Sequence, residues 1–466
     1  MDVRVRFFGG ARTVTGSKYL LEIDDFKLLV DCGLFQGLKE LRLKNWQPLD
    51  IEPKQIDAVL LTHAHIDHSG YLPRLIEDGF EGSVYCTEAT ADLLRIMLTD
   101  SAKLQEEEAR FAKKKGYSKH ANPLPLYGVK SAVKALEHLV RCELDKSVVI
   151  TNGVEANFVL AGHILGAASI VLRLTGAQQT KEIVFSGDIG RYDNPLHFDP
   201  TAIKTGDVLF IESTYGNREN DSDYPEQELA RVINDTVDRR GCLLIPAFAV
   251  GRTQLILYYL AKLFDEGLIP RLPVYIDSPM ALSVTGLYRR YDECHRLSIG
   301  NEEGAKSPFD HPQFYYVQEQ EQSVALNTIE KEAIIVSASG MCTGGRMLHH
   351  LYHRLPRPND TLLFAGYQGE GTRGRKIVDG AEHVKMFGLE VPVLCHVDAI
   401  HGLSAHADLS ELLRWAGNFI SPPKMTFVVH GELESARHFA NILDADLGHH
   451  AHVPELGEAV SLFRGI

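Results

Sequence analysis

The sequence predicts an α/β protein of two domains, in which the second domain is inserted into the first. A length of 466 residues exceeds what one hydrophobic core normally supports. Residues 1–212 form short apolar runs broken by glycine and polar turns, whereas residues 213–390 alternate strand and helix. Residues 391–466 return to the first pattern, and an insertion explains this order better than two domains in tandem.

The first segment is predicted to be rich in strands. A helix is expected from about Thr90 to Lys115, because apolar residues recur there at helical spacing. The predicted strands are Val3–Phe7, Tyr19–Ile23, Lys27–Val30, Ala58–Leu61, Phe158–Ala161, Ser169–Leu174, Ile183–Phe185 and Val208–Ile211.

The middle segment is predicted to form a parallel α/β layer. Strand Cys242–Ala247 precedes a helix at Arg252–Phe264, and strand Val274–Ile276 precedes a helix at Met280–Glu293. Two further strands, at 333–336 and 361–365, each run into a glycine-rich turn. In the last segment, the run Met425–Val429 predicts a strand with helices on either side.

Composition and cysteine usage predict a soluble cytoplasmic protein with no membrane partner. Hydrophobic residues make up 44% and charged residues 24% of the chain, as in ordinary globular proteins. The first ten residues lack the features of a secretory signal, and no apolar run has the length of a membrane-spanning helix. The seven cysteines are scattered without a CxxC pair, which argues against disulfides and thiolate metal sites.

The formal net charge of −14 weighs against nucleic acid as a partner, because phosphate neutralisation supplies most of the affinity for nucleic acids. Bound divalent ions and a local basic strip can nevertheless attract phosphate where the overall sum is negative. Residues 337–376 form such a strip, with six basic residues against two acidic ones. Trp46 and Trp415 are expected in hydrophobic cores rather than as platforms for base stacking.

The motif Thr62-His63-Ala64-His65-Ile66-Asp67-His68 directly follows an apolar strand and gives the sharpest chemical signal. Imidazole and carboxylate groups are good ligands for Zn²⁺. Side chains at i and i+2 of an extended loop point the same way, so His63 and His65 can converge on one ion. Asp67 and His68 then face a second ion. A polar loop with satisfied histidines is the alternative, which the specific HxHxDH spacing disfavours.

Four ligands do not complete two metal sites, so further ligands are expected at other strand ends. His163 lies in AGHILGA, Asp188 in FSGDIG and His430 in VVHGE, and each follows a predicted strand. Each also lies in a glycine-bearing turn, where the backbone can bend close to an ion. Singly, such residues are more often ordinary turn residues, but beside the HxHxDH motif they favour a ligand role.

The HAHIDH motif with later GH, GD and HG turns resembles the metallo-β-lactamase superfamily, whose αββα sandwich holds two zinc ions at strand ends. Asp31 in VDCG, Glu212 in FIESTYG, His406 in GLSAHAD and His430 resemble the further motifs of the β-CASP nucleases, which carry an inserted α/β cap. The resemblance covers nearly the whole chain. It implies a metallo-β-lactamase domain at 1–212 and 391–466, and a β-CASP cap at 213–390.

The resemblance also implies the ligands of two Zn²⁺ ions. His63, His65 and His163 would bind one ion, and Asp67, His68 and His430 would bind the other, with Asp188 bridging them. Asp31 would stand behind the ligands as a hydrogen-bond partner that orients an imidazole and raises its basicity.

The implied reaction is hydrolysis of a phosphodiester bond that leaves a 3′-hydroxyl and a 5′-phosphate. A water bridging zinc ions roughly 3.5–4 Å apart loses a proton near neutral pH and becomes the nucleophile. Asp67 and Asp188 act as ligands, and His406 is expected to protonate the leaving oxygen. Glu212 would favour the charged form of that imidazole. A further metal ligand or a plain loop residue is the alternative for His406.

Single-stranded RNA is the expected substrate. In the family, the position of His430 is a histidine in RNA-processing members and typically apolar in the DNA-repair branch. The narrow cleft that the family has between its domains favours a single strand over a duplex. Glycine-rich turns after strands leave N–H groups free for phosphate, so substrate contacts are expected from Arg252, Ser337, Ser339, Arg346, Arg373 and Arg375.

Internal cleavage is expected, but a 5′–3′ exoribonuclease, a DNA nuclease and a thioesterase or lactonase remain alternatives. A non-catalytic RNA-binding scaffold subunit is the alternative from another class of protein. The intact ligand positions favour the enzyme over the scaffold. Because homodimers are seen among relatives, a homodimer is also expected. The chain has no RNA-binding domain ahead of Val3, so an accessory RNA-binding partner is also expected.

Overall fold

The chain forms two compact units in the computed structural model, which describes residues 1–115, 123–219, 224–297 and 307–466. Unit 1 comprises Met1–Asn194, Phe198–Glu219 and His406–Ile466, and unit 2 comprises Pro195–His197 and Asn220–Ala405. Most of unit 2 is therefore inserted between two segments of unit 1 along the chain.

The first part of unit 1 contains eleven strands and five helices within the described residues. The strands are β1 Val3–Gly9, β2 Lys18–Ile23, β3 Phe26–Val30, β4 Ala58–Leu60, β5 Ser83–Thr87, β6 Leu139–Cys142, β7 Ser147–Thr151, β8 Val154–Leu160, β9 Ala168–Thr175, β10 Thr180–Phe185 and β11 Val208–Glu212. The helices are α1 Lys39–Lys44, α2 Ile66–Ser69, α3 Leu72–Glu77, α4 Glu88–Lys115 and α5 Val129–Leu136.

Unit 2 follows, and the chain then returns to unit 1. The elements of unit 2 are α6 Pro225–Asp238, β12 Leu243–Pro246, α7 Arg252–Asp265, β13 Val274–Asp277, α8 Pro279–Tyr288, β14 Phe314–Tyr316, α9 Gln320–Leu326, β15 Ile334–Ser337, α10 Gly345–Arg354, β16 Thr361–Phe364, α11 Arg373–Val378, β17 His383–Met386, β18 Leu389–Pro392 and β19 His396–Ala399. The returning elements are α12 Leu409–Ala416, β20 Met425–Val429, α13 Leu433–Leu447, β21 Ala451–His452 and β22 Ala459–Phe463.

Unit 1 is an αββα sandwich. One sheet has the strand order β22-β1-β2-β3-β4-β5-β6, and the other has the order β21-β20-β11-β10-β9-β8-β7. Alternating apolar residues of both sheets form one buried cluster between them. The Phe7 ring of the first sheet lies 5.2 Å from the Phe427 ring of the second. Helices α12 and α13 cover the outer face of the second sheet, where Trp415 is fully buried.

Unit 2 is built on a parallel six-stranded sheet with the order β14-β13-β15-β12-β16-β19. Unit 2 extends to Ala405, beyond the predicted boundary at residue 390, because β19 pairs with β16 from Thr361↔His396 to Phe364↔Ala399. The predicted helix Met280–Glu293 is shorter in the structure and ends at Tyr288.

The predicted metallo-β-lactamase sandwich with an α/β insert is therefore the observed fold class. No disulfide joins the seven cysteines, all of which lie in the described part of the chain. Among the described helices, none combines the length and the apolarity that crossing a bilayer requires.

Candidate metal centre

The predicted metal ligands meet at one edge of the unit 1 sandwich. Strands β3 and β4 run parallel, and so do β10, β11 and β20. Strand β8 shares the direction of β10, because each is antiparallel to β9. Since the carboxyl ends of parallel strands lie at the same edge of a sheet, the loops that follow these strands converge. The predicted ligands lie in those loops and in the short helix α2.

A first group of donor atoms consists of His63, His65, His163 and Asp188. His65 Nδ1 lies 3.2 Å from both His63 Nε2 and His163 Nε2. Asp188 Oδ2 lies 3.4 Å from His63 Nε2 and 3.5 Å from His163 Nε2. All four side chains therefore surround one point.

A second group consists of Asp67, His68 and His430, and Asp188 reaches it through its other oxygen. His68 Nε2 lies 3.1 Å from His430 Nε2 and 3.2 Å from Asp188 Oδ1. Asp67 Oδ2 lies 3.6 Å from His430 Nε2. Asp188 thus presents one carboxylate oxygen to each group, as the bridging role predicted for it requires.

These separations fit divalent metal ions. With metal–ligand bonds near 2.1 Å, the donors of a tetrahedral site lie about 3.4 Å apart. The Oδ1 atom of Asp188 is buried and accepts no hydrogen bond of normal geometry from the described residues. Its nearest neighbours are imidazole nitrogens, His68 Nε2 at 3.2 Å and His430 Nδ1 at 3.4 Å, so a cation among these donors would give the buried oxygen a partner. The chemistry and spacing of the donors therefore suggest a divalent metal site.

A set of polar side chains behind the ligands fixes their orientation. Asp31 Oδ2 lies 2.8 Å from His68 Nδ1, as predicted for a residue that orients a ligand. Thr62 donates through Oγ1 to Asp31 and lies 3.0 Å from His63 Nδ1. Thr214 Oγ1 lies 3.2 Å from His430 Nδ1. No role was predicted for Thr62 or Thr214, although Thr62 belongs to the HxHxDH motif and Thr214 to the segment FIESTYG.

The backbone at the site adopts conformations that few residues tolerate. Asp31 has a φ of 59° and His430 a φ of 47°, both in the left-handed region. Such strain persists where the surrounding structure over-determines it, and it concentrates at functional sites. Gly33 is required for a different reason, since a Cβ there would lie 1.6 Å from the carbonyl oxygen of Asp67. The loop after β3 therefore packs directly against the loop that carries the predicted ligand Asp67.

Burial keeps three of the ligand imidazoles neutral. It lowers the pKa of His65 to about 3, with further lowering from His63. Burial also lowers the pKa of His163 and of His63, although the charge of Asp188 opposes both shifts. A neutral imidazole offers a lone pair, so these side chains are in the state that binds a metal.

His68 behaves differently from the other ligand histidines. Burial would lower its pKa, but the carboxylates of Asp188 and Asp31 outweigh burial and raise the pKa well above its usual value. Burial would raise the pKa of Asp188, yet the surrounding histidines hold it well below the usual range. A metal that binds at His68 must therefore displace a proton, which makes binding weaker in acid.

His406 and Glu212 form a pair beside the ligand cluster. His406 Nδ1 lies 3.1 Å from Glu212 Oε2 and 3.9 Å from Asp188 Oδ2. The Glu212 side chain is fully buried, whereas that of His406 is 17% exposed. Burial would lower the pKa of His406, but the charge and hydrogen bond of Glu212 raise it. The pair therefore presents an imidazole of raised pKa that solvent or a substrate can reach.

The predicted substrate-binding residues all belong to unit 2, and they follow the neighbouring strands β12, β15 and β16. Several are held by internal bonds. Arg346 donates to Asp277 Oδ1 at 2.7 Å and to two backbone carbonyls, and Arg373 donates to the carbonyls of Cys342 and Lys385. Arg375 lies 2.9 Å from its exposed neighbour Asp379.

The other predicted contacts differ in accessibility. Ser337 is buried and donates to the carbonyl of Asp277 at 3.0 Å. Ser339 is more exposed and accepts a hydrogen bond from the Thr343 N–H. Arg252 is buried and packs against Gly366, where a Cβ would lie 2.0 Å from Nη1. A contact of these side chains with RNA stays a prediction, and Arg346 in particular has a structural role that the sequence did not suggest.

Fold and site together define a metal-dependent hydrolase with the metallo-β-lactamase architecture. Models of three domain families match the chain: the metallo-β-lactamase superfamily at residues 12–221, the Beta-Casp domain at 253–377, and a Zn-dependent metallo-hydrolase RNA specificity domain at 390–454. The matches follow the same order along the chain as the two units and the return to unit 1.

Similar proteins agree with the domain matches. The chain is 36% identical to the ribonuclease TTHA0252 of Thermus thermophilus, over 98% of this chain and 100% of that protein. It is 29% identical to the transcription termination factor FttA of Methanocaldococcus jannaschii, over 97% of this chain and 70% of that protein. A solved structure of a protein of unknown function from Enterococcus faecalis shares the fold, with a TM-score of 0.56 and 14% identity over 99% of this chain and 100% of that one. The chain belongs to the β-CASP family of the metallo-β-lactamase superfamily.

Proposed function

We propose that this protein is a ribonuclease that uses two zinc ions to cut single-stranded RNA at internal bonds. The observation that carries the proposal is the His406–Glu212 pair, which places an accessible imidazole of raised pKa beside the seven predicted metal ligands. The names of the two relatives and the RNA specificity model support RNA as the substrate.

The donor set supports zinc and a count of two. Imidazole nitrogens and single carboxylate oxygens are ligands that Zn²⁺ prefers, whereas Mg²⁺ and Ca²⁺ prefer oxygen alone. The seven side chains divide into two groups, and Asp188 turns one oxygen toward each. One carboxylate that faces both groups matches two ions better than one.

Two divalent ions at this site would activate a water and stabilise negative charge on phosphate oxygens. The rest of the chemistry falls to side chains of the protein. His406 donates its proton to the leaving 3′ oxygen, since its side chain is the accessible end of the pair. Glu212 faces Nδ1 and stabilises the imidazolium, while the other ring nitrogen, Nε2, gives its proton to the leaving oxygen. The Ile189 N–H donates to Oε1 at 2.6 Å and fixes the carboxylate in place.

Closed-circular single-stranded RNA is the substrate that tests internal cleavage, because it has no ends. We expect the zinc-loaded protein to linearise it, and to cut linear RNA with 5′ or 3′ labels into internal fragments with 5′-phosphate ends. A chelator should abolish cutting. The His406→Ala variant should retain both metals and lose most of the rate, by about 10²-fold or more.

The His438→Ala variant is the matched control, since His438 is an exposed histidine on α13. It should cut RNA like the unmodified protein. If the protein instead releases single nucleotides from linear RNA and leaves circular RNA uncut, it is an exonuclease rather than an endonuclease. Equal cutting of DNA, or hydrolysis of thioesters or lactones with RNA untouched, would overturn the substrate that we propose.

We also propose a cytoplasmic location, which the absence of disulfides in the described part of the chain supports. The homodimer and the accessory RNA-binding partner stay predictions. Light scattering with and without RNA would test the homodimer.

A further inference from the structure

The Trp46 side chain lies at the protein surface just after helix α1, and not in the hydrophobic core expected for it. The Trp46 side chain is 50% exposed, whereas Trp415, the other tryptophan of the chain, is fully buried. Leu43 beside it is 52% exposed, and α1 contains no buried residue. The expectation that Trp46 lies in a core is therefore wrong. An exposed indole of this size needs another explanation.

Cationic side chains accompany Trp46 on one face. A turn follows α1, in which the N–H of Trp46 donates to the carbonyl of Leu43, three residues earlier, at 3.2 Å. Lys39 and Arg42 are three residues apart on the same side of α1, and Trp46 lies in the turn two residues after the helix ends. Lys39 and Arg42 are exposed, and Lys44 is half-buried. We name this surface, formed by Lys39, Arg42, Leu43, Lys44 and Trp46, the α1 face.

The positive charge of the α1 face is only partly neutralised within the described residues. Lys39, Arg42 and Lys44 form no ion pair there. The exposed carboxylate of Glu40 on the same helix offsets one of their three charges, and the nearby acids Asp50 and Glu52 are paired with Arg6 and Lys54. The arginines predicted to bind RNA in unit 2 differ in this respect, because Arg346 and Arg373 are held by internal bonds. In a chain with a net charge of −14, an unpaired cluster of cations stands out.

The α1 face is anchored to the metal-binding loop. The Asn45 side chain accepts from the Phe35 N–H at 2.9 Å and donates to the Phe35 carbonyl at 2.8 Å. The N–H of Leu34 donates to Ile66 O at 2.9 Å, next to the ligand Asp67. Two sets of hydrogen bonds therefore connect Trp46 to the loop that carries the ligands, within unit 1.

We infer that the α1 face binds single-stranded RNA beside the metal centre, with a base stacked on Trp46 and phosphates held by Lys39 and Arg42. An exposed aromatic ring flanked by cations is the combination that single strands require, because every base has a face to stack and every linkage carries a charge. The inference rests on the proposed function, since it specifies where that substrate lies.

The test uses the full-length protein with the His406→Ala substitution as background, so that RNA is bound and not cut. Fluorescence of Trp46 should be quenched when oligouridylate is added, and a Trp46→Phe substitution should remove the quenching, since only buried Trp415 remains. A Trp46→Ala substitution should weaken binding by about tenfold, as expected for the loss of one stacked base. Replacing Lys39 and Arg42 by alanine should reduce the slope of log Kd against log salt by about 1.4, for two phosphates on a single strand.

Matched controls separate the inference from general effects. Lys130 and Lys134 are exposed cations one turn apart on α5, and their double alanine variant should leave the salt slope nearly unchanged. With His406 restored, Trp46→Ala should raise KM for a long RNA, whereas the double alanine variant of Lys130 and Lys134 should leave both that KM and the hydrolysis of bis(p-nitrophenyl) phosphate unchanged. Melting curves should coincide for all variants, because the altered side chains are exposed.

Two results would overturn the inference. If Trp46→Ala leaves the affinity for RNA unchanged while internal cutting persists, the proposed function stands and the α1 face does not bind RNA. If the substitution instead abolishes self-association in light scattering without changing RNA affinity, the α1 face is a contact between copies of the chain. Failure of the proposed function has a different signature, since the unmodified protein would then neither bind nor cut RNA.

Discussion

At the scale of single residues, we expect the Glu212–His406 pair to set the pH dependence of the proposed reaction. Glu212 raises the pKa of His406 against the effect of burial, so the imidazole stays protonated to a higher pH than a free histidine. A general acid works in its protonated form, so the rate falls as the pH rises through this pKa. Replacing Glu212 by Gln removes the charge but keeps an oxygen for the Ile189 N–H.

We therefore expect the falling limb of the kcat profile of Glu212→Gln to move to lower pH, with a rate near neutral pH lower by about tenfold or more. The measurement is kcat for a short RNA from about pH 5 to about pH 9. His406→Ala should show no such limb. A limb at the same pH in the unmodified and Glu212→Gln proteins would show that another group donates the proton.

The ligands make unequal contributions to metal binding. Asp188 faces both donor groups, whereas His430 contacts only the second. Asp188→Asn should therefore lose nearly all bound metal, and His430→Ala should fall from two ions to about one. Elemental analysis after gel filtration measures this, with His438→Ala as the control that keeps two. Equal losses in the two ligand variants would argue against a bridging carboxylate.

At the scale of elements, strands and their ends could be predicted better than the contacts between side chains. The strand Met425–Val429 lies where its apolar run predicts it, and the four loops that carry the predicted ligands follow predicted strands. Apolar runs are a local signal, and parallel strands place their carboxyl ends together whatever the details of packing. The predicted ligands converge for that reason.

Features that depend on partners distant in the chain could not be predicted. Strand β19 belongs to unit 2 only through its pairing with β16, and nothing local in 396–399 signals that pairing. Trp46 was expected in a core because tryptophan usually is buried, and its exposure follows from its position in the turn after a short helix that has no buried residue. The phosphate contact of Arg346 stays a prediction, but its ion pair with Asp277 could not be predicted, since Asp277 lies 69 residues away in the sequence.

The role of Arg346 can be tested through stability. Its guanidinium neutralises the buried carboxylate of Asp277, which also bonds His350 and Ser323 at 2.6 Å each. Arg346→Ala should lower the free energy of unfolding by about 2 kcal/mol, because it leaves a buried charge with one partner fewer. Arg375→Ala is the control, since its exposed pair with Asp379 contributes little. Unchanged stability with a raised KM for RNA would instead support the phosphate contact that the sequence predicts.

At the scale of the whole molecule, the metal centre and the charge of the chain are linked. The net charge of −14 would repel RNA if it were spread evenly. Two divalent ions at the proposed metal centre would add four positive charges to unit 1, and the α1 face adds cations in the same unit. Bound metal would then attract RNA as well as supply chemistry, so RNA binding by the metal-free protein should be weaker.

Every predicted metal ligand belongs to unit 1, and each unit has its own buried core. Removal of metal should therefore destabilise unit 1 and leave unit 2 unaffected. Metal that binds only the folded state stabilises it by about 4 kcal/mol when its concentration is a thousand times Kd. Calorimetry should then show two transitions, of which a chelator lowers only the one belonging to unit 1. Asp188→Asn without chelator should reproduce the lowered transition. Arg346→Ala should lower the melting temperature of the other transition, which would assign that transition to unit 2. If a chelator lowers the melting temperatures of both transitions equally, or of neither, the metal centre is not confined to unit 1.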